Sequence, residues 1–184
     1  VHQAGVELLG GRLYADPFTL AIVDPEFSTN LHLQQLDLSQ ILELQPSAEV
    51  SGSGRLSGRL PFEWNHKGAY IRDGQIEALP PGGLLSYQAQ NGAALATTNY
   101  GLDLAFKLLK NFEYRELKLG VNYQPDGTLL LNTALKGSNP EWQRGQPIDF
   151  NIRIEQNLLK LLQALQFSDN LSENLDQKIQ QGME

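Results

Sequence analysis

Three serines, Ser51, Ser53 and Ser57, stand among Gly52, Gly54 and Gly58. Serine beside glycine is where a nucleophile or a phosphate loop would be sought. The spacing fits neither. A nucleophile elbow reads Gly-x-Ser-x-Gly, a pattern none of the three satisfies. A dinucleotide loop follows a strand and opens a helix, whereas these glycines alternate with polar residues inside an extended pattern. Glycine within a strand marks a bend or the close approach of another backbone or ligand. His2, His32 and His66 are isolated from second ligands at metal-binding spacing. Asp73-Gly74 and Asp126-Gly127 lack the repeated oxygens of a calcium loop and read as turns. Glu43, Glu63, Glu77, Glu113 and Glu116 supply carboxylates without any spacing that pairs two of them for acid–base work. Arg55 and Arg59 share a strand face, but Arg72, Arg115, Arg144 and Arg153 are dispersed, so no bidentate anion clamp is visible. Asn170-Leu171-Ser172 matches a glycosylation triplet that arises readily by chance. The expectation is a chain that is not an enzyme, holds no metal and needs no cofactor.

The elements that carry these residues belong to a chain of 184 residues with net charge −7. That balance argues against a nucleic-acid partner, because phosphate binding needs clustered Lys and Arg, and the scattered aromatics lack interleaved bases. The acid is uneven: residues 1–50 carry seven acids and one base, Arg12. There is no Cys, which excludes disulfides and thiol chemistry. No run of 18 apolar residues exists to span a membrane. The start at Val1 predicts a processed form or a piece of something longer. The length suits one domain, 1–184. Leu occurs 33 times, and much of it falls in strand-like segments, which usually favour β-branched residues.

Alternation and punctuation predict the elements. Val6–Leu9, Arg12–Ala15 and Phe18–Val23 read as short strands around a Gly10-Gly11 turn, and Leu31–Leu36 as another. Ser39 is a cap candidate for a helical turn reaching Leu44. From Val50 to Glu63 one long strand alternates, and Asp73-Gly74 predicts a hairpin between Ala69–Ile71 and Gln75–Leu79. Pro80–Gly83 is a break before Leu84–Gln88, and residues 89–99 read as loop or weak helix. Leu102–Phe112 has helical spacing. Two long strands, Arg115–Tyr123 and Leu129–Lys136, flank Pro125-Asp126-Gly127, and a further strand runs through Ile148–Glu155. The tail is helical, with a narrow stripe of Leu171, Leu175 and Ile179 that fits a docked or partner-binding helix; residues 157–181 form a helical C-terminal appendage.

These elements predict a mainly β fold with helices (α+β), built on an antiparallel sheet of long hairpins. One face is aliphatic: Val50, Leu56 and Leu60 on one strand; Leu117, Leu119 and Val121 on the next; Leu129, Leu131 and Leu135 beyond it; and Ile148, Phe150, Ile152 and Ile154 on the last. Three or four helices are few to cover strands this long, which leaves room for an open apolar trough, and such a surface ordinarily binds something. Any one of these Leu residues is equally suited to packing under a helix.

Four stretches carry a family resemblance. They are Leu36–Leu44 running into Val50–Phe62; Ile71–Ala78 with Pro81-Gly82-Gly83; Leu109–Tyr114 with Tyr123–Leu129; and Gly137–Pro140 with Gly145–Ile148 and Ile154–Leu158. Over roughly residues 36–165 the chain resembles the C-terminal part of the YdbH-like proteins, relatives of TamB and other AsmA-like envelope proteins. That region has borne the label "dicarboxylate transport" domain. The resemblance implies a long, curled sheet forming an apolar groove, with helices packed at its ends, for phospholipid acyl chains. It implies a periplasmic piece of a protein anchored in the inner membrane. The implied partners are phospholipid and a small outer-membrane, YnbE-like lipoprotein that joins by strand addition. The alternatives are a docking module for that lipoprotein and a small-solute (dicarboxylate) binder.

Overall fold

The computed structural model describes residues 5–19, 26–44, 50–88 and 100–160. The strand expected through Val23, the segment 89–99, the helical tail and its candidates Leu171, Leu175 and Ile179 lie wholly or partly outside these residues. The described chain is mainly β, with one antiparallel, unclosed sheet of ten strands and few short helices.

β1 (Gly5–Leu8) and β2 (Gly11–Ala15) form a hairpin. Its turn is Leu9-Gly10, one residue earlier than expected, with both residues at positive φ (50° and 68°), as a two-residue hairpin turn requires. β3 (Phe27–Asp37) pairs with β2 and leads into α1 (Leu38–Glu43). The cap is Asp37 rather than Ser39: its carboxylate accepts hydrogen bonds from the Ser39 amide (2.9 Å) and hydroxyl (2.7 Å). The expected long strand after residue 50 is split at Ser53-Gly54 into β4 (Val50–Gly52) and β5 (Arg55–Asn65). The next strand is split likewise by Leu79–Gly82 into β6 (Gly68–Ala78) and β7 (Gly83–Tyr87). β5 pairs with β6, and β4 with β7. The hairpin turn lies at His66-Lys67. Asp73, at φ 53°, is a bulge within β6, which corrects the hairpin expected at Asp73-Gly74.

α2 (Tyr100–Leu109) ends before Phe112, which the helical spacing had included; Phe112 instead opens β8 (Phe112–Tyr123). β9 (Thr128–Ser138) follows across the expected Pro125-Asp126-Gly127 turn, and β10 (Pro147–Asn157) pairs with β9. β8 pairs with β6 along one half and β7 along the other. With the split strands counted as units, each described strand pairs only with its neighbours in the order of described strands.

Three strands carry bulges. The apolar positions step by three residues at each: Leu33 to Leu36 in β3, Ile71 to Gly74 in β6, and Tyr114 to Leu117 in β8. An extra residue would otherwise flip every later side chain to the opposite face. The three-residue step therefore keeps the same face apolar, and it removes Arg115 from the alternation in which it was expected.

The core sits at one end of the sheet. Leu38, Leu56, Phe112, Tyr114, Leu117 and Leu135 are buried there, and Ile41 and Leu42 of α1 and Leu109 of α2 pack against them. Phe150 meets Phe112 edge-on at 5.4 Å. The Tyr114 hydroxyl donates to the Ser53 carbonyl at 2.8 Å, and burial pushes its pKa up. This bond ties β8 to the break between β4 and β5. Gly83 is obligatory beneath it, because a Cβ there would land on the Ser53 carbonyl. Asn139, 3% exposed, donates to the Lys107 and Leu108 carbonyls and accepts from the Glu141 amide, which fastens the end of α2 to the β9–β10 loop.

Candidate functional site

Cross-strand partners point to the same side of a sheet, so the register assembles one face residue by residue. Nearest the helices, Leu36, Leu56 and Ala78 form a row, and Leu117, Leu135 and Phe150 form another across β8–β10. The next row crosses six strands: Leu33, Gly58, Ile76, Leu119, Thr133 and Ile152. Then come Gly74, Val121, Leu131 and Ile154. Nearest the hairpins lie Thr29, Phe62, Ile71, Tyr123 and Leu129. Thr133 is the one polar intrusion in the second row; its hydroxyl is buried without a hydrogen-bond partner.

The thirteen residues expected on an aliphatic face divide by environment. Leu56, Leu117 and Leu135 belong to the buried core, with Ile148 and Phe150 packed against it. Val50 lies in β4 at the α1 end, two residues from Gly52, where a Cβ would come within 3.1 Å of Leu42. Leu60 lies over Gly74, since a Cβ on Gly74 would be 2.7 Å from its Cδ2. Leu119, Leu129 and Leu131 are half-buried, and Val121 is buried. Ile152 and Ile154 are exposed, at 36% and 40%. Leu31, Leu33, Ile71 and Ile76 share the face, yet the alternation did not single them out. Ile71 and Ile76 are five residues apart, out of phase for an unbroken strand, and the Asp73-Gly74 bulge between them is the signal that reconciles them.

The opposite face is polar and locally paired. Asp16 accepts from Asn30 and bonds His32, both at 2.9 Å; the Asn30 bond leads in holding its carboxyl below the usual range. Tyr14 stacks on His32 at 4.8 Å. Glu116 faces Lys136 at 3.1 Å and Lys118 at 3.5 Å, and the Lys136 hydrogen bond leads in lowering its pKa. The acidic excess of residues 1–50 thus has structural uses at Asp16 and Asp37. Among the described residues no three His, Cys, Asp or Glu side chains gather in a metal-binding group. No described helix is long and apolar enough to cross a membrane.

The described strands thus present a long aliphatic face backed by a polar, locally paired one. A family model matches residues 1–180, under the description "Intermembrane phospholipid transport protein YdbH". The chain belongs to the YdbH-like family. The match extends beyond residues 36–165, over which the resemblance ran, to the residues before them and most of the tail. The chain is also 24% identical over 175 residues to the probable phospholipid transport protein YdbH of Escherichia coli (strain K12), covering 95% of this chain and 20% of that relative. It therefore spans about a fifth of the relative's length. No solved structure matches it.

Proposed function

We propose that this YdbH-like chain is a non-catalytic, periplasmic segment of an inner-membrane-anchored lipid bridge, along whose aliphatic face phospholipid acyl chains travel between membranes. The observation that carries the reading is the continuity of that face. Its rows run across neighbouring strands, interrupted mainly by glycine and threonine. Acyl chains ask for no directional bonds and gain about 0.8 kcal/mol per buried CH₂, so leucine and isoleucine suffice as lining. The bulges on β3, β6 and β8 favour a curled sheet, since each adds local twist and bend. A photocrosslinking residue at Leu131, in cells making the full-length protein, is expected to capture phospholipid. Adducts to protein alone would sink the reading.

A second reading rests on β10. It is the last described strand of the sheet, eleven residues long, with Ile148, Phe150, Ile152 and Ile154 alternating with Asp149, Asn151, Arg153 and Glu155. Such an edge accepts an added strand, and a small outer-membrane lipoprotein is the proposed partner. Proline at Asn151 and, separately, at Ile152 tests it. One of the two neighbouring amides points away from β9, and proline there is expected to abolish copurification while leaving the fold intact. The dicarboxylate alternative is weaker. The recess of about 660 Å³ that holds Arg59 and Lys118 also holds Asp73 and Glu77, which oppose a dianion. Calorimetry with succinate is expected to show no heat.

A further inference from the structure

The apolar face is not uniform along its strands. The helix end is filled: Phe112 is 0% exposed, Tyr114 2% and Leu135 2%, beneath α1 and α2. Along β10 the same side of the strand passes from half-buried Ile148 and Phe150, packed on that core, to exposed Ile152 and Ile154. Along β9 it passes from buried Leu135 to half-buried Leu131 and Leu129. Close-packed interiors leave no room for a second hydrocarbon, so the helix end has no space for an acyl chain, whereas the far end still has surface to bury.

That far end is built differently. The hairpin tips at His66-Lys67 and Pro125–Gly127 lie side by side there, for Gly68 abuts Pro125. Phe18 stacks on Phe27 at 4.6 Å, Phe27 tilts against Phe62 at 5.8 Å, and Trp64, the cross-strand partner of Phe27, is 41% exposed. Leu159, at the same tip beside Gly127, is 42% exposed. Tryptophan suits the boundary between hydrocarbon and headgroup, because its indole joins an apolar body to a polar N–H.

We infer that phospholipid acyl chains lie on the hairpin half of this face, beside Trp64, and that α1, α2 and the Phe112–Tyr114 core form a closed stop along its other margin. The inference rests on the lipid reading above and adds a polarity to it. The test places a photocrosslinking residue singly at Trp64 and Ile154, and at Leu85 and Ile148 near the helices, in the full-length protein in cells. Limited proteolysis checks that each variant is folded. Lipid adducts are expected from the first pair at a yield about tenfold above the second, as a filled interior excludes the probe's target. Comparable lipid yields from both pairs would overturn the stop and leave the conduit standing. Lipid adducts from neither pair would overturn both. Adducts from Trp64 and Ile154 to residues 161–184 of the same chain, in place of lipid, would make this end a covered one and overturn the inference.

Discussion

Truncating Leu135 and Ile154 to alanine separates a packed face from an open one. Both lie on the same side of neighbouring strands. Leu135 is 2% exposed in the core, so Leu135→Ala removes buried carbons and leaves a cavity, a loss of about 2–5 kcal/mol. Ile154 is 40% exposed. Full burial of isoleucine contributes about 1.5–3 kcal/mol, so Ile154→Ala, which removes part of a half-covered side chain and leaves no sealed cavity, costs about 1 kcal/mol. Equilibrium urea unfolding followed by circular dichroism reads the difference. With a slope of about 2 kcal/mol per molar, Leu135→Ala lowers the midpoint by about 1–2.5 M and Ile154→Ala by about 0.5 M, with slopes unchanged. If Ile154→Ala cost as much as Leu135→Ala, protein atoms would already fill the hairpin half of the face and leave no space for hydrocarbon. A companion variant, Ile154→Ser, is expected to keep the fold and reduce phospholipid capture.

Asn139→Ala leaves the end of α2 without its buried amide; it is expected to cost about 1–3 kcal/mol and to speed amide exchange in α2. Gly137→Ala puts a Cβ against the Glu113 carbonyl and the Tyr114 Cα, so it should unsettle the β8–β9 register, visible as loss of cooperative unfolding. Asp16, Asp37, Glu116 and Asp126 all have lowered pKa values, led by hydrogen bonds from Asn30, Ser39, Lys136 and Thr128 respectively. A depressed folded-state pKa contributes stability that is full above the ordinary carboxylate range and is lost as pH falls through the lowered values. Urea midpoints are therefore expected to hold from pH 7 to about 5 and to decline below about 4. Asp37→Ala should lower the melting temperature, and Asp37→Asn should largely restore it, because asparagine caps a helix about as well.

What was legible in the sequence follows from periodicity. β8, β9 and β10 show their aliphatic side because the period-two alternation of mainly aliphatic residues keeps its phase from Leu117 onward. The Pro125-Asp126-Gly127 turn reads correctly because its signal is local: the Asp126 carboxylate accepts from the Thr128 amide at 2.9 Å. Asp73-Gly74 carries nearly the same local signal and means something else. There the Asp73 amide donates to Asn122, a neighbour on β8 remote in sequence, at 3.0 Å. The break at Ser53-Gly54 depends on the Tyr114 hydroxyl, equally remote. The cap fell to Asp37 because its carboxylate takes both the Ser39 amide and hydroxyl, a choice between adjacent candidates that composition does not rank. Which part of the aliphatic face is filled follows from where α1 and α2 lie over it, and spacing along single strands carries no information about that.

The neighbour-only pairing of the strands has a consequence for how such a protein changes length. Because each strand leans on those next to it in the chain, a hairpin added or removed at a sheet margin leaves every other pairing and its register in place. No crossover has to be re-threaded. The molecule is in this sense a ribbon woven row by row. Its width can grow or shrink in pairs of strands, while the aliphatic side stays aliphatic through each addition.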